Sequence, residues 1–145
     1  MMKMNNKPVF DLVPDGYPFC IVTDCPMGEH CLRQKARQML VKDNRIVRVV
    51  NPLRTQPSEQ CEFYRSDEPQ VFARGFAAMK EEMLPRQYKV FMSRLQNHFG
   101  RTGYFERRRG ERLCSPKDID AIQKVLQELG LQHLGFDAYE RHFNW

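Results

Sequence analysis

The sequence predicts an α+β, mostly helical fold in which a Cys-rich N-terminal region with a short strand pair is followed by a C-terminal helical bundle. Two observations support this prediction. The first 70 residues contain seven prolines and four cysteines, whereas the last 75 residues carry apolar side chains at helical spacing. A length of 145 residues with 41% hydrophobic content fits one domain, residues 1–145, with a Cys-rich subregion, 1–68, and a helical subregion, 69–145.

The N-terminal region is predicted to contain one helix and at least one strand. An extended segment over residues 8–17 comes first, and a helix over about residues 27–41 follows it. Residues 45–50 are β-branched and partly alternating, which is typical of a strand, and the pair Asn51 and Pro52 ends it.

Helix signals dominate from residue 69 onward. A helix is predicted over residues 69–83, and Pro85 closes it. The next helix covers residues 86–99, where apolar side chains recur at spacings of three and four, and Gly100 stands where a left-handed C-cap belongs. A short helix over residues 102–109 comes after it.

The clearest helix start in the chain is at Ser115. Ser115 is a favoured N-cap residue, Pro116 fits the first helical position, and Asp118 is the acid three residues after the cap. An apolar stripe follows, and Gly130 ends the helix.

The last ten residues are rich in aromatic side chains. They include Phe136, Tyr139, Phe143 and Trp145. We expect them to form a short helix that begins at Asp137 and packs back on the body of the protein.

The N-terminus indicates a cytoplasmic protein with no membrane segment. The first sixteen residues contain no apolar core typical of a secretory signal, and the longest uncharged stretch before Asp24 is far shorter than a membrane span. Cysteines in such a compartment stay reduced, so a cluster of them favours metal binding over disulfides.

Four of the five cysteines have an order typical of metal ligands. Cys20, Cys25, Cys31 and Cys61 follow the spacing C-x4-C-x5-C, then 29 residues, then Cys. Four thiolates can close a tetrahedral shell around a structural zinc ion, and the same ligands could hold an iron–sulfur cluster. Ordinary buried cysteines without metal are the third alternative. His30 could replace Cys31 as a ligand.

The sequence does not point to an enzyme. The fifth cysteine, Cys114, has no His or Asp arrangement near it in sequence and is predicted to be a packed thiol. Paired carboxylates and a Gly-rich phosphate loop are also absent as readable motifs, so no catalytic residue is predicted.

A strongly basic segment lies between Arg86 and Arg112. It holds eight basic residues and two acids, a local balance of +6, although the whole chain carries only +5. Seven of the eight are arginines, whose planar side chains suit phosphate groups and guanine edges. The segment predicts contact with a polyanion, and a solvated, internally paired charge run is the alternative.

The segment FMSRLQNHFG-RTGYFERRRGER-LCSPKDIDAIQKVLQELGL, residues 91–131, resembles the later helices of Cro- and repressor-type helix-turn-helix domains. The resemblance implies DNA-facing positions at Arg101, Thr102, Arg107 and Arg108, with Gly110 as the turn after the recognition helix. The segment departs from these domains in one respect, since it lacks the usual Ala-x-x-x-Gly pattern before the short helix.

The whole chain also resembles a family of short uncharacterised proteins from Bacteroidetes. The matching features are FC, CP and CLR around the first three cysteines, then NP and FYRSD, then HFG, RRGER and SP, and a C-terminal Trp. The resemblance implies no activity.

These observations favour a nucleic-acid-binding, regulatory protein with a structural four-Cys metal site. The predicted contact residues are Arg101, Thr102, Arg107, Arg108, Arg109 and Arg112. The alternatives are a protein-interaction module whose basic face binds an acidic partner and an iron–sulfur protein.

Overall fold

The computed structural model describes residues 3–4, 13–43 and 45–145, which form two compact units. The helical unit comprises Gln70–His142 with a two-residue strand near the N-terminus, and the cysteine unit comprises the described residues from 13 to 69 with Phe143–Trp145. The described elements are, in chain order, β1 (Lys3–Met4), a 3₁₀ helix (Gly28–His30), α1 (Leu32–Asp43), β2 (Gln70–Arg74), a second 3₁₀ helix (Ala77–Glu82), α2 (Pro85–Arg108), α3 (Pro116–Glu128) and β3 (Ala138–His142).

The core of the helical unit is built around Phe76, which follows β2. Its ring meets the rings of Phe91, Tyr104 and Phe136 edge-on, with centroid distances of 5.9, 5.7 and 6.2 Å. Edge-to-face contact is a favoured geometry for aromatic pairs, so the four rings lock β2, α2 and the approach to β3 together. Aliphatic side chains from α2 and α3 complete this core: Leu95, Ile119, Ile122 and Leu126.

A three-stranded sheet completes the helical unit, with β3 in the centre. β1 pairs with β3 in parallel and β2 pairs with it antiparallel, which places Phe72 opposite Glu140. On the other edge of β2, Ala73 and Cys114 exchange both backbone hydrogen bonds, at 3.0 and 2.8 Å. The segment before α3 is therefore fixed to the sheet.

Helix α2 is kinked at Gly100. This residue has φ 77° and ψ 163°, a conformation that is open to glycine and strained for other residues. The prediction of two helices separated at Gly100 is confirmed.

The predicted start of α3 is also confirmed. The Ser115 hydroxyl accepts a hydrogen bond from the Asp118 N–H, and the Asp118 carboxylate accepts one from the Ser115 N–H, both at 3.2 Å. This capping box satisfies amide groups that a helix start leaves free.

Two predicted helices of the C-terminal region are wrong. Residues 69–83 form β2 and a 3₁₀ helix, because Gly75 at φ 75° breaks any helix there and the stretch before it pairs with β3. Residues 136–145 contain β3, and Asp137 does not begin a helix of its own. Its carboxylate instead accepts hydrogen bonds from the N–H groups of Ala77 and Ala78 at 3.1 and 3.3 Å.

Gly75 is required by this arrangement for a second reason. A Cβ atom at this position would lie 2.8 Å from an Asp137 carboxylate oxygen, and the Asp137 N–H donates to the Gly75 carbonyl at 2.9 Å. The close approach fixes the 3₁₀ helix against the start of β3.

The cysteine unit has α1 as its largest element. Tyr17, Phe19 and Ala36 form its small core, and Trp145 meets the Tyr17 ring edge-on at 5.2 Å. Residues 45–50, predicted as a strand, are extended near residue 49 but form only an isolated parallel bridge between Val49 and Phe19.

The α+β, mostly helical class predicted from the sequence is confirmed. None of the helices in the described ranges is both long enough and apolar enough to cross a bilayer. The first half of the predicted extended segment, residues 8–12, lies outside the described residues, which resume at Val13.

Candidate functional site

The four cysteines predicted as ligands line one pocket of the cysteine unit. Cys20, Cys25, Cys31 and Cys61 all contribute to its wall, together with apolar and polar side chains that include Val22, Met27, Arg33, Gln34, Pro57 and Phe63. The cavity volume is about 20 Å³. None of the four thiols is in a disulfide. Residues up to 41 positions apart in sequence therefore meet at a single small space.

The first three cysteines are brought together by a turn and the 3₁₀ helix before α1. The Gly28 N–H donates to the Cys25 carbonyl at 3.0 Å, and the Cys31 N–H donates to the Gly28 carbonyl at 3.4 Å. Gln34, one turn into α1, donates to the Val22 carbonyl at 2.8 Å. These bonds fold residues 22–31 back on the start of α1.

The fourth cysteine, Cys61, lies on a loop that contacts the start of α1. The Leu32 N–H donates to the Arg65 carbonyl at 2.7 Å, and Cys31 forms an antiparallel bridge with Ser66. Leu32 thus has its N–H, one of those left free at a helix start, satisfied by this loop. The docking brings Cys61 to the same pocket as Cys31.

Arg33 joins the segments that carry the cysteines. It is buried, with 8% of its surface exposed. Its Nε donates to the Phe63 carbonyl at 2.7 Å, one of its terminal nitrogens donates to the Pro18 carbonyl at 2.7 Å, and its guanidinium lies 4.9 Å from the centre of the Tyr17 ring. None of the ion pairs formed within the described ranges involves Arg33. A buried positive charge without a carboxylate therefore lies at the edge of a cluster of thiols.

The thiols of the described residues do not form a coordination shell in this structure. Within residues 3–4, 13–43 and 45–145, no three His, Cys, Asp or Glu side chains are already placed to coordinate one metal ion. The structure brings the four cysteines to a common pocket but does not show their sulfur atoms in ligand geometry.

His30 has a different partner. Its Nδ1 lies 3.5 Å from the Asp67 carboxylate, which also pairs with Lys35 at 2.5 Å. Burial alone would raise the pKa of Asp67, but the hydrogen bond and charge of Lys35 outweigh burial and hold that pKa below its usual value. Cys31 lines the thiol pocket and His30 does not.

Cys114 lies apart from the other cysteines, in the core of the helical unit. Its side chain is buried, and that burial raises the pKa of the thiol to about 11. A thiol with this pKa is protonated at neutral pH, which suits a packed side chain and not a nucleophile.

Arg107, predicted to contact nucleic acid, is buried in the helical unit. Its Nε pairs with Asp118 at 3.1 Å, a terminal nitrogen donates to the Gly103 carbonyl at 3.1 Å, and the guanidinium lies 4.2 Å from the Phe99 ring centre. Only 8% of its surface is exposed. This side chain ties α2 to the cap of α3, so little of it is exposed for the predicted contact with nucleic acid.

The other predicted contact residues lie nearer the surface. Arg101 and Thr102 are exposed. Arg109 makes a bidentate pair with Glu111 at 2.8 and 3.1 Å, Arg112 lies 3.8 Å from Glu106, and the half-buried Arg108 lies near aromatic rings. Part of the basic segment is therefore internally paired.

Sequence reasoning did not identify Arg33 as the residue that organises the thiol pocket. The sequence gives little indication of this role, because Arg33 lies in a predicted helix and no motif around it sets it apart from other arginines. The same reasoning missed the exposure of Ile46 and Leu53, which are 92% and 91% exposed.

Comparison with known proteins places the chain in a family without assigned activity. The model of a family of unknown function, DUF6078, matches residues 1–145. Neither the curated proteins nor the solved structures contain a match.

Proposed function

The chain belongs to DUF6078, a family of unknown function, and we propose that it is a protein-interaction module whose cysteine unit is held together by one structural zinc ion. The observation that carries the zinc site is the meeting of Cys20, Cys25, Cys31 and Cys61 at one pocket, and the observation that favours an interaction module is the exposure of apolar side chains such as Ile46 and Leu53. The zinc would be bound by these four side chains and would contribute to the folding of the unit.

The donor set fits a structural zinc site. Four cysteines are a common ligand set for tetrahedral zinc, and a closed shell leaves no position for substrate. Four thiolates with one Zn²⁺ carry a net charge of about −2. The buried guanidinium of Arg33 at the pocket wall offsets part of that charge. Binding would require the four thiols to turn toward the cavity that they line.

The size of the cavity favours zinc over an iron–sulfur cluster. A volume of about 20 Å³ accommodates about one water-sized body. A single ion matches this space more closely than a cluster of several iron and sulfide ions does. The apolar core formed by the described residues of the cysteine unit is small, so a bound metal would contribute stability that this core does not supply.

Metal analysis of protein purified without oxygen tests the proposal. We expect one zinc per chain, and loss of zinc in Cys20→Ser and Cys61→Ser. Cys114→Ser is the matched control and should retain zinc, because Cys114 is a buried thiol of the helical unit. Protein without metal, or a brown protein with broad absorption near ~400 nm typical of iron–sulfur clusters, would contradict the proposal.

Nucleic-acid binding by the helical unit is a second candidate function. It is supported by the exposed Arg101 and Thr102, together with Arg109 and Arg112, whose carboxylate partners are close neighbours in sequence. Exposed ion pairs of this kind are weak, so phosphate groups could replace the carboxylates. Arg108 is half-buried, and the exposed part of its side chain could add a contact beside the exposed arginines.

A salt titration with short DNA and RNA probes tests this second function. Phosphate contacts predict an affinity that falls steeply as salt increases, and the variant carrying Arg101→Glu and Arg109→Glu should lose that binding. Lys124→Glu is a control, since it changes an exposed charge on α3. No binding of any duplex or single strand at low salt would rule the function out.

A further inference from the structure

We propose that the backbone edge at residues 47–50 of the cysteine unit, with which no described residue pairs on its outer side, accepts an extended, acidic segment of a partner protein as an added β-strand. This inference names the kind of partner recognised by the interaction module proposed above, on which it rests. It depends on three features of one short stretch: an unpaired backbone edge, exposed apolar side chains and unpaired arginines.

The backbone edge is open on one side. On the other side, the Phe19 N–H donates to the Arg48 carbonyl at 3.2 Å, and the Val50 N–H donates to the Phe19 carbonyl at 2.9 Å. Backbone groups of a strand alternate in direction, so the N–H and C=O groups of Val49 point away from Phe19. No residue of the described ranges forms a hydrogen bond with either group. An edge of this kind is a template for strand addition.

The side chains along the edge are apolar and exposed. Ile46 and Leu53 are almost fully exposed, and Val47 and Val49 keep more than a third of their surface in water. Val50, in contrast, is buried and anchors the segment to the unit. An added strand would cover apolar surface as well as complete the backbone hydrogen bonds.

Leu53 is held in its exposed position by an ordered turn. The Leu53 N–H donates to the Asn51 side-chain oxygen at 3.0 Å, and the N–H of Arg54 donates to the Asn51 carbonyl at 3.1 Å. The Thr55 hydroxyl donates to the same carbonyl at 2.7 Å. The turn therefore presents Leu53 with little conformational entropy left to lose on binding.

The charge of the surface selects an acidic partner. Residues 44–58 contain Arg45, Arg48 and Arg54 and no acidic residue. All three are exposed, and within the described ranges none of them forms an ion pair. Carboxylates on a partner strand would complement these arginines, while its apolar side chains would cover Ile46 and Leu53.

The same charges disfavour a second copy of this chain as the occupant. Two copies paired edge to edge would bring two sets of three arginines together, and like charges that face each other across strands are destabilising. Nucleic acid would satisfy the arginines but would leave the apolar side chains and the backbone edge without partners.

The test uses synthetic peptides and the zinc-loaded full chain. The probe is a peptide of alternating Glu and Val residues, and its controls are a Lys–Val peptide and a Glu–Val peptide with N-methyl groups on alternate amides. We expect the Glu–Val peptide to bind and both controls to bind at least about tenfold more weakly, because one lacks the charge and the other cannot pair with the edge. Binding should also slow hydrogen exchange at the Val49 amide.

Two variants locate the site on the chain. Val49→Pro removes the outward N–H and leaves the two hydrogen bonds to Phe19 in place, while Val49→Thr keeps the N–H and is the matched control. The triple variant with Arg45→Glu, Arg48→Glu and Arg54→Glu reverses the charge without altering a buried residue. We expect Val49→Pro and the triple variant to weaken peptide binding at least about tenfold and Val49→Thr to change it little.

Several outcomes would overturn the inference. They are equal binding of the Lys–Val or N-methylated peptide, unchanged binding by the triple variant, dimerisation through this edge, and preference for duplex DNA or phosphatidylserine vesicles over the Glu–Val peptide. Zinc content is measured in each sample. Failure of peptide binding by zinc-loaded protein would remove the docking site alone, whereas absence of zinc would contradict the metal site proposed above.

Discussion

Two buried arginines organise the two units of this protein, one in each. Arg33 donates to backbone carbonyls of the segments that carry Cys20 and Cys61, and Arg107 joins α2 to the cap of α3 through Asp118. Nothing in the sequence distinguishes these two residues from the other arginines, and Arg107 was predicted to contact nucleic acid. Three successive arginines cannot all face the core, but the sequence could not indicate that Arg107 is the buried one, because that depends on how Phe99 and Asp118 are placed around it.

Removing the Arg107 side chain should destabilise the helical unit strongly. Arg107→Ala leaves the Asp118 carboxylate without its partner and removes the contact with Phe99. We expect the free energy of unfolding to fall by about 2–4 kcal/mol. Arg109→Ala is the control, since its ion pair with Glu111 is exposed, and it should lower the free energy of unfolding much less than Arg107→Ala does. Urea titrations of both variants measure the difference, and equal effects would show that Arg107 is not a structural residue.

Gly100→Ala tests whether the kink in α2 depends on backbone conformation alone. A Cβ atom at this position would have no atom within 4 Å, so no steric clash with neighbouring residues arises. The free energy of unfolding should fall by about 1–3 kcal/mol, because φ 77° and ψ 163° are unfavourable for any residue with a side chain. Thermal unfolding measures this cost, with the exposed Ser93→Ala as control. A stabilised Gly100→Ala variant would mean that α2 can straighten without loss.

At the scale of elements, the helices were more predictable than the strands. The kinked α2 and the capped α3 carry their start signals, apolar spacing and end signals within about 24 residues or fewer. β2 and β3 pair across residues that are about 66 positions apart, as Arg74 and Glu140 show. Such a pairing has no local signature in five-residue stretches, so residues 70–74 and 138–142 resembled parts of short helices.

The pair between Arg74 and Glu140 should make the sheet sensitive to acid. The Arg74 hydrogen bond and charge hold the pKa of Glu140 below its usual value of 4.5. Because the folded pKa is lower than the unfolded one, the stability from this pair is complete above the unfolded pKa and is lost as pH falls through the folded pKa. Glu140→Gln should therefore reduce the pH dependence of the free energy of unfolding between pH ~6 and ~2.5.

The matched control for this prediction is Glu128→Gln. Glu128 pairs with Arg94, but both side chains of that pair are close to half exposed, so its removal should change the pH dependence little. If Glu140→Gln and wild type show the same acid dependence, the pair between β2 and β3 does not stabilise the sheet.

For the molecule as a whole, the thiol pocket and the open edge are joined by one loop. Thr55 donates to the turn that presents Leu53 and also lines the pocket with the four cysteines. Metal binding at the pocket would therefore stabilise the loop that carries part of the docking surface. The sequence predicted the four cysteines as a group, but it could not place Thr55 and Pro57 on their pocket, since that contact arises only in the folded unit.

Removal of zinc should act on the cysteine unit more than on the helical unit. The helical unit has a core of its own around Phe76, whereas the described residues of the cysteine unit contribute a smaller cluster around Phe19. After chelation we expect loss of hydrogen-exchange protection at residues 13–69 and its retention across most of residues 70–142. The Glu–Val peptide should bind more weakly to the chelated protein. Uniform loss of protection across both units would contradict this prediction.

The most direct test of the central claim is zinc K-edge X-ray absorption of the purified protein. The account predicts one zinc per chain with four sulfur ligands at about 2.3 Å. Substituting Cys61→Ser should remove the metal or replace one sulfur ligand by a lighter atom. A zinc ion bound only by nitrogen and oxygen, or the same four-sulfur spectrum after Cys61→Ser, would contradict it.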